Sequence, residues 1–201
     1  MWWYNPTTQH HITVPPRCGG STARKLFNDH PDWETGNSER AKQEATRCTV
    51  WYKTPIDRWK SWYCQFIIGG HVTPLWRTII EQEEPSLFYE EDINLFTIRF
   101  LDVFEKYFWI DTHTIPQSQW VIYDRTYYKK AKIEFVHNDD LSLWLSNEGM
   151  PGLHQNASDQ SAWMNIDFNT RMKVAQRIPV IYHADITTLP ATAVPQNSIT
   201  K

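Results

Sequence analysis

The stretch VPPRCGGSTARKL, Val14 to Leu26, sets a proline pair against two glycines and two hydroxyl residues, then runs into a helical pattern. Upstream, His11 to Val14 is short, β-branched and ends at the prolines, which suits a buried strand; downstream, Ser21 to Asn28 reads as a helix. A loop of small residues between a strand and a helix start turns backbone N–H groups toward an anion, and the helix dipole adds partial positive charge. The triphosphate-binding form of such a loop is GxxxxGK followed by Ser or Thr. Here Ser21 and Thr22 follow Gly20 with no lysine between them, and the nearest cation is Arg17, ahead of the glycines. The loop suits an anion and is a poor ATP loop.

The same unit recurs downstream. CTVWYK, Cys48 to Lys53, reads as a second strand, and after the Pro55 turn Ile56, Trp59, Tyr63 and Phe66 recur at helical spacing. Residues 90 to 108 carry Ile93, Phe96, Phe100, Phe104 and Tyr107 on one stripe, a scaffold helix. Trp120 to Tyr123 and Ile133 to Val136 read as further strands, and Tyr127, Tyr128, Lys129 and Lys130 between them suit a lysine-blunted sheet edge. Asp139 or Asp140 starts a short helix to Leu145, Glu148 to Ala162 has loop composition, and Thr170 to Asp185 is helical with an interruption at Pro179. These elements predict one α/β domain over residues 1–189, with a mainly parallel sheet flanked by helices on both sides. Residues 190–201, rich in Pro, Thr, Ala, Ser and Asn, predict a flexible tail.

A chain of 201 residues is long enough for a sizeable core. A net charge of −3 and a pI near 6.2 argue against coating nucleic acid or an anionic membrane, leaving a small or neutral partner with room for a local basic pocket. Cys18, Cys48 and Cys64 form neither a paired disulfide framework nor a CxxC metal site, and His10 and His11 face opposite sides of a strand, so the spacing predicts no metal. Without an 18-residue apolar run or room for a signal peptide before the first strand, the expected location is soluble and cytoplasmic. Eleven Trp, nine Tyr and nine Phe serve cores, base stacking and sugar faces alike and do not choose among them.

In KTPIDRWKSWY, Lys53 to Tyr63, a cation ends the strand, Arg58 stands in the first helical turn and Ser61 about one turn beyond, a spacing that lets cation and hydroxyl meet one anion. Two such entrances describe a site for a ligand with phosphates at both ends. At these residues the chain resembles the sulfotransferases that use 3′-phosphoadenosine 5′-phosphosulfate (PAPS), in particular the carbohydrate sulfotransferase branch. PRCGGST is similar to the loop that holds the 5′-phosphosulfate there, and KTPIDRWKSWY to the segment that holds the 3′-phosphate. THTIPQSQW, Thr112 to Trp120, and LHQNAS, Leu153 to Ser158, are similar to two later segments, so the resemblance spans residues 10 to about 185. Arg17 stands where many members carry lysine, and Lys53 where most carry arginine.

The resemblance implies a P-loop-like three-layer fold and transfer of a sulfuryl group from PAPS to a hydroxyl acceptor, a carbohydrate first, without a metal. It implies that Arg17, Cys18, Gly19, Gly20, Ser21 and Thr22 surround the 5′-phosphosulfate, that Lys53, Arg58 and Ser61 hold the 3′-phosphate, and that Asn156 and Ser158 complete the cofactor site. Sulfuryl transfer depends on positioning and charge stabilisation, which points to Arg17 as the cation on the bridging oxygen, and it needs a base for the acceptor hydroxyl. His30 and His113 are the candidates, with Glu34 in reserve. Two other readings stay open: a non-catalytic protein that binds carbohydrate or protein in Trp-lined grooves, and a nucleotide-dependent kinase, disfavoured by the missing GK[ST].

Overall fold

The computed structural model describes residues 1–36, 38–151 and 161–190. Its centre is a five-stranded sheet in the order β3-β1-β2-β4-β5. The strands are β1 (Trp2–Asn5), β2 (His10–Thr13), β3 (Glu34–Thr35), β4 (Arg47–Tyr52) and β5 (Lys132–His137). β4 pairs in parallel with β2, Ile12 opposite Thr49, and with β5, Val50 opposite Phe135. The expected mainly parallel sheet is instead evenly divided, because β1 pairs antiparallel with both β2 and β3. Four residues, Pro6 to Gln9, join β1 to β2, and a connection that short permits only antiparallel pairing. The Asn5 side chain accepts from the amides of Thr7 and Thr8 and closes this turn. β1 was not expected from sequence.

Alternation along the strands sends side chains to two cores. On one face Ile12 and Trp51 pack with Ala23 and Phe27 of α1 (Gly20–Phe27) and with Leu141 and Leu145 of α7 (Leu141–Asn147), while α2 (Glu39–Glu44) packs Ala41 against Tyr4 and Tyr128. On the other, Cys48, Val50 and Tyr52 pack with Val121 of α6 (Ser118–Tyr127). Helices therefore cover both faces. The segment Trp120 to Tyr123, expected as a strand, lies inside α6: Ser118, Val121 and Asp124 are its buried positions, a spacing of three that outweighs the β-favouring Trp, Val, Ile and Tyr.

A third cluster is helical. α3 (Pro55–Trp62) opens with a Thr54 cap and Pro55 in its first turn, and supplies Trp59 and Trp62. It continues into a π-helical turn, Tyr63–Ile68, closed by the Gly69 amide on the Cys64 carbonyl. α4 (Pro74–Glu83), α5 (Ile93–Tyr107), α8 (Ser161–Met164) and α9 (Phe168–Ile181) enclose the cluster with Trp76, Phe100, Phe104, Trp163 and Ile178. Pro179 falls in the last turn of α9; the break comes at Tyr182, before α10 (His183–Thr188). Among the described residues no helix is long and apolar enough to cross a membrane.

Candidate functional site

β2, β4 and β5 run parallel, and the loops leaving their carboxyl ends, into α1, α3 and α7, meet at one cavity of about 830 Å³. The crevice beyond the carboxyl ends of parallel strands is where open α/β sheets bind ligands. Its wall holds Arg17, Gly19, Gly20, Ser21 and Thr22 from the first loop and Lys53, Asp57 and Ser61 from the second. Gln65 and Phe66 of the π-helical turn, His113, and the His137–Asp139 segment after β5 complete it.

The first loop is a tight turn. The Cys18 amide donates to the Pro15 carbonyl at 3.1 Å, with Pro16 and Arg17 as central residues. Arg17 takes φ +71°, at the position that turns with Pro before it ordinarily give to glycine. Gly19 follows at φ +99° and caps α1 without a side-chain bond; a Cβ there would come within 3.2 Å of Asn138 Oδ1. The first intrahelical amide bond is from Ala23 to Gly19, so the amides of Gly20, Ser21 and Thr22 have no acceptor among the described residues. That end of α1 is a ready anion site.

The cations divide by role. Arg17 donates from one guanidinium nitrogen to the Ser61 carbonyl and hydroxyl, both at 2.8 Å, and lies 5.5 Å from the Phe66 ring centre, while its Nε is buried without a partner among the described residues. The Lys53 ammonium has no acceptor among the described residues; burial, opposed by Cys18 and reinforced by Arg17, lowers its pKa. Arg58 is elsewhere engaged. It is 2% exposed, and its guanidinium donates to the carbonyls of Pro16 (3.1 Å), Ile115 (2.7 Å) and His113 (3.0 Å). The structure does not bring Arg58 to the cavity: it ties the first loop to the 113–115 segment.

Cys18 is also turned away. Its fully buried thiol donates to Gln117 Oε1 at 2.8 Å, and burial pushes its pKa up to about 11. Gln117 also accepts from the Lys53 amide and donates to the Lys53 carbonyl, while Asp185 holds the neighbouring Ser118 amide at 2.7 Å. The THTIPQ stretch thus fixes both loops from behind through Gln117, a role not read from sequence.

Of the two candidate histidines, His113 reaches the cavity and His30 does not. His30 is exposed after α1, where its ring accepts from the Asp32 amide; Glu34 sits on the edge strand β3, paired with Arg40. His113 Nδ1 lies 2.9 Å from Asp111 Oδ1, whose other oxygen accepts from Trp76 Nε1 at 2.9 Å. Burial alone would raise the Asp111 pKa, but the bonds from His113 and Trp76 outweigh it and hold the carboxyl below its ordinary value. Asn156 and Ser158 lie outside the described residues. His137, Asn138 and Asp139 were missed; standing at the end of a strand parallel to β4, they were findable once β5 was placed beside it.

Compared with known proteins, the chain matches no family model, no curated protein and no solved structure.

Proposed function

We propose that this chain is a PAPS-dependent sulfotransferase of P-loop-like fold, acting on a hydroxyl acceptor, a carbohydrate before other alcohols. The observation that carries this reading is the convergence of two segments on one cavity: the amides of Gly20 to Thr22 on one side, and Ser61 with the Lys53 ammonium on the other, the amides and the ammonium having no acceptor among the described residues and Arg17 reaching Ser61. A nucleotide with a 3′-phosphate and a 5′-phosphosulfate needs two such anion seats. In this mechanism the loop amides hold the 5′-phosphate, Lys53 and Ser61 the 3′-phosphate, and Arg17 the bridging oxygen. Asp111 accepts from His113 Nδ1–H, which leaves the Nε2 lone pair to take the acceptor proton. The acceptor oxygen bonds to sulfur as the sulfur–phosphate oxygen bond breaks, and the electron pair leaves on a phosphate oxygen facing Arg17.

One observation favours the kinase reading: Asp57 and Asp139 also face the cavity, where carboxylates would suit Mg²⁺. Thermal shift separates the cases. The sulfotransferase reading expects adenosine 3′,5′-bisphosphate to stabilise the protein, by about 2.7 kcal/mol at a concentration 100 times Kd, and ATP with Mg²⁺ to do little. The reverse order favours the kinase, and no response to either favours a non-nucleotide binding protein.

A further inference from the structure

Away from the cavity, three residues far apart in sequence meet beneath α6. His11 on β2, Cys48 on β4 and Asp124 on α6 are all buried, and their ligating atoms lie within 4.8 Å of one another. The Cys48 sulfur is 3.5 Å from His11 Nδ1 and 3.7 Å from Asp124 Oδ2, and the Thr13 hydroxyl lies 3.4 Å from the same His11 nitrogen. A zinc ion with bonds of about 2.3 Å to sulfur and 2.0–2.2 Å to nitrogen or oxygen holds neighbouring ligands of a tetrahedron roughly 3.3–3.7 Å apart. Both edges at the Cys48 sulfur have this length, the third lies within 4.8 Å, and Thr13 Oγ1 stands beside His11 Nδ1 for a fourth corner.

We infer that His11, Cys48 and Asp124 form a structural site for a thiolate-accepting divalent cation of the zinc class, which pins α6 to the two central strands. Two features besides the spacing point to a ligand. Asp124 Oδ1, on the carboxyl whose other oxygen faces Cys48, is buried with no hydrogen-bond partner among the described residues. A dication with one thiolate, one carboxylate and one neutral imidazole makes a neutral set, the form in which charge is tolerated in a core. The His11 ring stacks on Tyr128 at 4.1 Å, which fixes its plane with Nδ1 toward Cys48. Loading releases the Cys48 thiol proton, and the Asp124 proton where present, to solvent.

The set is also placed to matter for the cavity, because the residue just before α6, its N-cap Gln117, holds both anion loops. The ligands are 37 and 76 residues apart, outside any local metal motif, so no sequence spacing announces them.

Full-length protein purified without chelator is assayed for zinc, then unfolded with chelator and refolded with or without Co²⁺ or Zn²⁺. The inference expects one metal per chain, a thiolate-to-cobalt charge-transfer band with the visible bands of tetrahedral Co²⁺, and a Tm several degrees higher with zinc. Asp124→Asn keeps the side-chain volume and should weaken Co²⁺ affinity by at least the roughly 10–100-fold that even an outer partner of a metal ligand is worth. Cys48→Ala should abolish the charge-transfer band, and Cys64→Ala should leave it unchanged. Wild-type protein that gives no thiolate–cobalt band and no zinc-dependent Tm overturns the inference, as does a band that survives Cys48→Ala. The wild-type arm decides even if a variant fails to fold.

Discussion

Arg58→Met removes a buried cation that touches no ligand, and its cost can be worked from three bonds. The guanidinium donates to Pro16, Ile115 and His113, each a carbonyl in a loop rather than in a helix or strand. A hydrogen bond to a charged group contributes about 1.5–3 kcal/mol, so three independent ones would total roughly 4.5–9. They share one group, and the freed carbonyls relax toward water, so we expect about 4 kcal/mol. With a urea m-value of about 2.5 kcal/mol/M, the midpoint should fall by about 1.5 M at unchanged m. Methionine keeps much of the apolar bulk beside Tyr182, whose ring centre is 5.9 Å from the guanidinium carbon, so the loss reports the bonds rather than a cavity. Affinity for adenosine 3′,5′-bisphosphate should fall as well, because the Pro16 carbonyl belongs to the turn that presents Arg17. A midpoint shift below about 0.5 M would refute the clamp, since it would mean that the three carbonyls lose nothing they need.

The other anchors give predictions of different sign. Lys53→Met should leave stability unchanged or raised, because it removes a partly buried unpaired charge, while weakening binding of adenosine 3′,5′-bisphosphate tenfold or more and of adenosine 5′-monophosphate far less, by calorimetry. Asp111→Asn should destabilise the fold at neutral pH; since the folded pKa is depressed, that contribution exists above the ordinary carboxyl value of 3.8 and vanishes as pH falls below it, so chemical denaturation of variant and parent should converge in acid. The same variant should lower kcat more than it raises KM, because it disturbs the orientation of His113. Arg17→Gly should be about 1 kcal/mol more stable than Arg17→Ala, since only glycine relieves φ +71°, while both lose single-turnover transfer by about 10²–10³; equal stability of the two would show that the turn is unstrained.

The two strand–loop–helix units were legible because each announces itself locally: a β-branched run, a Pro or Gly turn, then apolar residues at helical spacing. Their meeting at one cavity follows from parallel pairing of β2 with β4, and so Arg17, the glycines, Lys53 and Ser61, singled out in the sequence, line the same cavity. Arg58 and Cys18 were misplaced for a reason that spacing cannot show. Both sit in the same segments as cavity residues, but whether a side chain faces ligand or core depends on partners some 55 to 99 residues away, the 113–115 carbonyls and Gln117. β1 was missed because four residues with two tryptophans carry no clear alternation, and α6 because its Trp, Val, Ile and Tyr favour strand while the buried positions of its tertiary setting favour helix.

Arg17 and Arg58 carry the same charge, yet the fold uses them in opposite ways, and the difference explains how a strained loop can persist. A non-glycine residue held at positive φ survives only where its surroundings over-determine it. Here the Pro16 carbonyl is held by Arg58, the Cys18 thiol by Gln117, and Gln117 also holds the backbone of Lys53, so both loops are fixed from the core side by groups that do not line the cavity. Because those supports are spent inward, the donors that remain, the Gly20 to Thr22 amides and the Lys53 ammonium, face the cavity with their positions already set. In the reaction we propose, an anion entering it would meet donors that need little rearrangement, and electrostatic stabilisation would then act at the moment of bond breaking rather than being consumed in ordering the site. The stability of Arg58 and the strain at Arg17 are two ends of one device.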